Sequence, residues 1–274
     1  MTTVTLKEPG QLLLGKSNPP QTLFPGEAVV RVRRVGVCGT DIHAFQGEQP
    51  YFSYPRILGH ELGVEIVDIS PNEAGLKIGD LCAVEPYLDC GFCTACNQGK
   101  TNCCLNLKVL GVHTDGGMQE FITLPIRKLH RSKKLSSDQL ALVETLGIGA
   151  HAVARAEIKA GEFAVVIGAG PIGQGIITFA QLAGGRVIVV DVNEERLDLA
   201  RQLGAEVTLK GEKETIDLIK EITDGNLATA VFDATGNQDS MSKAFGYVAH
   251  TGRLVLVGLI QGNVTFSDPD FHRK

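Results

Sequence analysis

The chain has 274 residues, with 26 Lys or Arg against 31 Asp or Glu and a formal net charge of −5. That length accommodates two domains of ordinary size, and the composition is that of a globular protein with real cores. With no stripe of Lys/Arg, nucleic acid is excluded as an expected partner. The amino terminus, MTTVTLKEPG, lacks the basic-then-apolar pattern of a secretion signal, so the cytoplasm is the expected compartment. No membrane span is expected, because the one long apolar run, Phe163 to Gly185, is broken by glycines and Pro171.

The first half is rich in Gly, Pro and short β-prone runs such as EAVVRVRRVGVC and VEIVDI. It carries dispersed candidate ligands. VGVCGTDIH supplies Cys38, Thr40, Asp41 and His43, ILGHELG supplies His60 and Glu61, and ALVETLG supplies Glu144. A catalytic zinc takes about three protein ligands and keeps an open position. Cys38, His60 and Glu144 would offer it a thiolate, an imidazole and a carboxylate. Spacing alone does not join residues so far apart. Cys82, in LCAVEPY, reads as a small buried strand residue.

Five of the seven cysteines fall in DCGFCTACNQGKTNCC, residues 89–104. In a reducing compartment such clusters bind metal more often than they form disulfides. Short C-x2-C steps let neighbouring thiolates face one tetrahedral ion, with Zn–S near ~2.3 Å. Cys90, Cys93 and Cys96 supply three ligands, and either Cys103 or Cys104 the fourth. Four thiolates leave no open position, so such a zinc staples a loop and does not catalyse. Further on, His113 and Asp115 of GVHTDGG are candidates to face a substrate cleft.

From Phe163 onward strands and helices alternate. FAVVIG is a buried strand, followed by GAGPIG and a helix to Ala183. RVIVVD is the next strand, and NEERLDLARQLG a helix stopped by Gly204. A strand near Glu206–Leu209, a helix over Glu212–Thr223, the strand of TAVFDATG, a helix over Gln238–Ala249 and the strand RLVLVG complete five strand units. Such alternation predicts a parallel sheet with helices on both faces. The Gly-rich turn sits between strand and helix with Asp191 about 20 residues on, the strong form of the dinucleotide fingerprint. Gly168 makes the tight turn, Gly170 admits the pyrophosphate, and Gly173 lets helix and strand pack closely, with Pro171 and Ile172 between them as further candidate cofactor-binding residues. Asp191 can accept from both ribose hydroxyls and would repel a 2′-phosphate, which favours NAD over NADP. Thr235 and Gly236 after the fourth strand, and Val257 and Gly258 after the fifth, are candidate cofactor walls, since ligands bind outside the carboxyl ends of such strands.

VGVCGTDIH, YPRILGHELG and the four-cysteine lobe together resemble the zinc-dependent medium-chain dehydrogenase/reductase family, and the resemblance covers the whole chain. It implies a GroES-like irregular β-barrel catalytic domain over 1–146, carrying the lobe 89–104, then a doubly wound Rossmann domain over 147–274. The fold class is thus α/β and β, with a helix from near Val143 leading from one domain into the other. It implies two zinc ions, a catalytic one on Cys38, His60 and Glu144 and a structural one on Cys90, Cys93, Cys96 and Cys104. Glu61 matches an acidic neighbour that can approach the metal as an alternative ligand, and Asp41 the carboxylate that orients the zinc histidine. Thr40 matches a relay hydroxyl and His43 the outer relay base. Glu144, where other members have Cys, resembles the polyol and sugar-acid branch, the L-galactonate and L-gulonate 5-dehydrogenases especially. AFQGEQPYFSYPRILGHE, VLGVHTDGG and FSDPDFHRK point the same way. Two positions depart: Val64 stands where the family has its glycine, and Thr145 where the branch has Pro.

The implied activity is oxidation of a secondary alcohol of a polyol or sugar acid to a ketone, with zinc as Lewis acid and NAD as hydride acceptor. Alternatives are a simple alcohol dehydrogenase of the same family, a zinc-free quinone reductase, or an inactive fragment that still binds zinc or NAD. The last arises because the chain stops at FHRK, 16 residues past Gly258, whereas such sheets normally have six strands. The expectation is a chain truncated at its carboxyl end, lacking the last strand and a return segment, whose full-length form is a homodimer or homotetramer.

Overall fold

The structure, a computed structural model, describes residues 1–21, 23–212 and 214–274. It divides into two compact units, Met1–Glu144 and Thr145–Lys274. Along the first run β1 (Thr2–Glu8), β2 (Gln11–Lys16), β3 (Glu27–Gly36), helix α1 (Gly39–Gln46), β4 (Arg56–Ile57), β5 (Glu61–Ile69), β6 (Leu81–Val84), β7 (Tyr87–Leu88), helix α2 (Thr94–Asn97), β8 (Lys108–Val109), β9 (Phe121–Pro125), β10 (Leu129–Arg131) and helix α3 (Ser137–Ala141).

The β-prone runs pair antiparallel into a five-stranded sheet, β10-β6-β5-β3-β9, beside a smaller sheet, β2-β1-β4, and the pair β7-β8. Ala28 and Val30 of β3, Leu62, Val64 and Ile66 of β5, Cys82 and Val84 of β6, and Ile122 and Leu124 of β9 alternate into one buried core, the period-two signature of a strand with one packed face. Val64, in place of the family glycine, is simply part of that core. The space for α3 is made one residue earlier, at Gly63, where a Cβ would stand 2.2 Å from the Ser137 carbonyl oxygen. Two register shifts between β3 and β5 bend the pair, and it ends with Gly36 opposite Glu61. That pairing carries Cys38 to the side of His60, a meeting that no local spacing announces.

Helix α4 (Val143–Ala156) opens the second unit's run of β11 (Phe163–Ile167), α5 (Pro171–Leu182), β12 (Arg186–Asp191), α6 (Glu194–Gln202), β13 (Val207–Lys210), α7 (Thr215–Ile222), β14 (Ala228–Asp233), α8 (Gln238–Ala244), β15 (Val248–Leu256) and α9 (Asp268–Arg273). The sheet is parallel with order β13-β12-β11-β14-β15. Its strands split their side chains between two cores. Ala164, Val166, Val187, Val189, Ala230 and Phe232 face α4, α5 and α6 through residues such as Ile176 and Leu197. Val165, Ile167, Ile188, Val190 and Val231 face Ile219 of α7 and Ala244 of α8. This two-sided burial is why the strands read as unbroken apolar runs.

The helix expected over Gln238–Ala249 ends at Ala244, and β15 begins at Val248 instead of near Arg253. Val248 and Ala249 are buried and Val248 pairs with Ala228, while Thr251 at φ +62° accompanies a register shift in the ladder. The irregularity splits the strand's pattern, so its first half imitates a helix end. The helix expected over Glu212–Thr223 spans Thr215–Ile222, and Lys213 lies outside the described residues. Among the described residues no helix is long and apolar enough to cross a membrane.

Candidate metal centres and nucleotide site

Cys93 caps the short helix α2 and Cys96 lies within it, so backbone geometry turns both sulfurs to one side. The ligand atoms of Cys90, Cys93, Cys96 and Cys104 all lie within 4.8 Å of one another. The Sγ–Sγ separations are 3.5 Å for Cys93–Cys96, 3.9 Å for Cys93–Cys104 and 4.0 Å for Cys90–Cys96. A tetrahedral ion with Zn–S of ~2.3 Å sets such edges at about 3.8 Å, so the four sulfurs fit zinc without rearrangement. The backbone amides of Cys90 and Asn106 donate to Cys104 Sγ, each at 3.3 Å. Amides of Cys96 and Leu105 hold the Cys93 thiol down to about 6, and that of Phe92 lowers Cys90. Burial pushes Cys96 up to about 12. Cys103 is exposed and outside the group, so the pair at 103–104 resolves on Cys104. All seven cysteines are free thiols.

The lobe's first residue is tethered to the barrel. Asp89 accepts from Arg127 at 2.5 Å and pairs with Lys128 at 2.8 Å. These two cations hold its carboxyl down at about 2. Lys128 is 2 % exposed and pairs also with Glu85. A lysine is buried this way only when paired. Neither cation stands out in LPIRKLHR, because the contacts run across some 40 residues of chain.

In the second constellation, Cys38 is the residue before α1 and His60 the residue before β5. Asp41 Oδ2 accepts from the Cys38 amide at 2.9 Å, fixing the ligand turn. Its other oxygen faces His60 Nδ1 at 3.9 Å, and among the described residues neither atom has a hydrogen-bond partner. The ligand atoms of Cys38, His60 and Glu61 lie within 4.8 Å of one another. Glu61 fits there because Gly36 has no side chain, for a Cβ at Gly36 would stand 2.0 Å from Glu61 Oε2. Glu144, expected as third ligand, stands outside this group, and its Oε1 accepts from the Tyr87 hydroxyl at 2.5 Å. Burial opposes charge on His60, yet the hydrogen bond to Cys38 and the fields of Asp41, Cys38 and Glu144 outweigh it and hold the ring at about 9. Burial also raises the Glu144 carboxyl. A thiol, an imidazole and a carboxylate gathered within 4.8 Å of one another in a largely buried set suit a divalent cation.

Thr40 and His43 lie three apart on α1, half-buried and exposed respectively. His113 and Asp115, expected to face substrate, make local contacts: His113 Nδ1 accepts from the Val109 amide, and Asp115 accepts from the Ile57 amide and pairs with Arg56.

In the second unit, Gly168 turns at φ +90°, Gly170 caps α5 and Pro171 is its first residue, with Ile172 next. A Cβ on Gly173 would stand 1.9 Å from the Gly168 carbonyl oxygen, which only glycine permits. Asp191 closes β12. Its Oδ2 accepts from the Ala169 amide at 2.7 Å, its Oδ1 from the Asn193 amide at 2.8 Å, and Arg196 stands 3.8 Å away. Thr235 and Gly236 meet this turn from β14. The Thr235 methyl lies 3.0 Å from a Cβ built on Gly168, and Asp233, fully buried, holds Thr235 through its amide and hydroxyl. The amides of Val257 and Gly258 donate to the Asp233 carbonyl, closing the set.

The chain belongs to the zinc-type medium-chain alcohol dehydrogenase family. It matches the alcohol dehydrogenase GroES-like domain over residues 24–134 and the zinc-binding dehydrogenase domain over 171–274. It is 41 % identical to L-galactonate-5-dehydrogenase of Escherichia coli K12, covering 100 % of this chain and 81 % of the relative. It is 33 % identical to 2-dehydro-3-deoxy-L-galactonate 5-dehydrogenase of Pseudoalteromonas atlantica, over 85 % and 69 % of the two chains. The crystal structure of an E. coli CFT073 alcohol dehydrogenase (rspB) complexed with NADH superposes with a TM-score of 0.91 at 28 % identity, over 99 % and 80 %. The chain is therefore a zinc-type oxidoreductase with a GroES-like barrel and a Rossmann sheet, acting on small-molecule alcohols.

Proposed function

We propose that the chain oxidises a secondary alcohol of a sugar acid or polyol to the ketone, using NAD. The observation that carries this reading is the buried group of Cys38, His60 and Glu61 with Glu144 beside it, a donor set of one thiolate, one imidazole and carboxylates that fits a catalytic zinc. The relatives with sugar-acid substrates support the choice among alcohols. When bound, zinc supplies Lewis-acid polarisation of the substrate hydroxyl and NAD accepts the hydride. The chain's own residues do the rest. Asp41 holds the Cys38 turn through its amide and places a carboxylate 3.9 Å from His60 Nδ1, where its charge favours a proton on that nitrogen. Thr40 takes the hydroxyl proton and passes it towards exposed His43 at the next turn of α1. A second zinc, on Cys90, Cys93, Cys96 and Cys104, holds the lobe. The barrel residues 1–146 carry substrate and metal, and 147–274 carry NAD on Gly168, Gly170, Pro171, Ile172, Gly173, Asp191, Thr235, Gly236, Val257 and Gly258. The proposed compartment is the cytoplasm, where clustered cysteines bind metal more often than they form disulfides. The test is turnover of L-galactonate, sorbitol and ethanol with NAD, beside the metal content of the purified protein. Preference for ethanol, or turnover without zinc, overturns the reading.

Asp191 sets the cofactor preference. Its carboxylate already holds two amides, and its remaining lone pairs can accept from ribose hydroxyls. Asp191→Ser is expected to weaken NAD about tenfold or more, as hydrogen bonds to charged groups are worth ~1.5–3 kcal/mol. It also frees Arg196 to meet a 2′-phosphate, so NADP should gain. Titration of both cofactors by nucleotide fluorescence checks this, and a wild-type chain that already prefers NADP contradicts it.

A further inference from the structure

We propose that Tyr87 is a positioning residue that decides which of two carboxylates meets the metal at the Cys38–His60 centre. The inference rests on the catalytic-zinc reading above. Two acids border the same buried pocket, and the structure treats them differently. Glu61 lies within ligand reach of Cys38 and His60, in space that Gly36 leaves open. Glu144 stands outside that group with its Oε1 held at 2.5 Å by the Tyr87 hydroxyl. The phenol is itself fixed. Tyr87 pairs with Val109 across β7 and β8, and the Leu110 amide donates to the carbonyl of the preceding Pro86. A phenol has one proton to donate, and here it is spent on a half-buried carboxylate whose alternative partner is the cation beside it. Tyr87 thereby keeps Glu144 off the metal, leaving Cys38, His60 and Glu61 as the resting set and a position for substrate.

Removing the hydroxyl leaves half-buried Glu144 without its donor, a state that is costly unless another partner is found. Tyr87→Phe should therefore let Glu144 bind the metal as an added ligand. The experiment replaces zinc at this centre with Co2+ and reads the visible ligand-field bands, together with the rate of metal loss to a chelator. With Tyr87→Phe the bands should weaken, as they do when four-coordinate cobalt gains a fifth ligand. Metal loss should slow by about tenfold or more. The double variant Tyr87→Phe/Glu144→Gln should return both readouts to wild type, which a merely structural tyrosine would not produce. Glu144→Gln alone, which keeps the Tyr87 contact, should leave the wild-type spectrum and retention unchanged, and this variant carries the test if Tyr87→Phe does not fold. A spectrum unaltered by Tyr87→Phe, or metal lost on Glu144→Gln alone, overturns the proposal while the zinc reading stands. A wild-type chain that binds metal only in the four-cysteine lobe overturns both.

Discussion

Cys96→Ser should empty the four-cysteine lobe and lower the melting temperature by more than about 10 °C. The lobe has little else to hold it. Cys90, Cys93, Cys96 and Cys104 are its convergence point, α2 is four residues long, and Phe92 and Leu105 are 73 % and 78 % exposed. A segment with so little apolar burial relies on its metal, and structural zinc contributes ~10–16 kcal/mol in small zinc-binding peptides, as much as the net ~5–15 kcal/mol that keeps a whole domain folded. The Asp89–Lys128–Arg127 tether anchors only the lobe's first residue. Cys103→Ser is the matched control. Cys103 is exposed and outside the sulfur cluster, so its loss should leave both zinc content and melting temperature unchanged. Elemental analysis and thermal unfolding of the two variants decide the matter. A Cys96 variant with normal stability and metal content would mean that the lobe is held by something other than four thiolates.

The contrast between the two centres shows what a sequence can disclose. The lobe is legible because its ligands lie within 15 residues and C-x2-C geometry is local. The turn at Gly168–Gly173 is legible for the same reason: strand, turn and helix follow one another, and Gly168 and Gly173 each answer a steric demand. Cys38, His60 and Glu61 meet only through the β3–β5 register, which two shifts set. No periodicity reports those shifts, so these residues were joined by resemblance rather than by spacing. Resemblance in turn points to Glu144, whereas the contacts around Gly36 place Glu61 nearest Cys38 and His60. Tyr87 had no signal at all, since its partner is 57 residues away and LCAVEPYLD reads as ordinary strand and loop. The start of β15 was obscured by Thr251 and its register shift, a tertiary irregularity that looks like a helix end when read locally.

His60→Ala should abolish alcohol turnover while leaving the fold and the lobe's zinc in place. The imidazole is 6 % exposed, so its removal would ordinarily be expected to destabilise. Its polar connections argue otherwise. Nδ1 has no hydrogen-bond partner among the described residues, and Asp41, which faces it, is secured independently through the Cys38 amide. Deleting the ring costs only its contact with Cys38, while the β3–β5 pairing that frames the site is untouched. The remaining set, Cys38 with Glu61 and Glu144, lacks the neutral ligand that zinc usually takes beside thiolate and carboxylate, so the centre should lose its metal. Lewis-acid polarisation is worth several kcal/mol at the transition state, and each ~1.4 kcal/mol is tenfold in rate, so turnover should fall by about 1,000-fold or more. Circular dichroism should match wild type, and one zinc per chain should remain, released only when the cysteines of the lobe are blocked. Near-normal turnover in His60→Ala would remove the catalytic role from this centre, and loss of both metals together would show that the two sites are not independent.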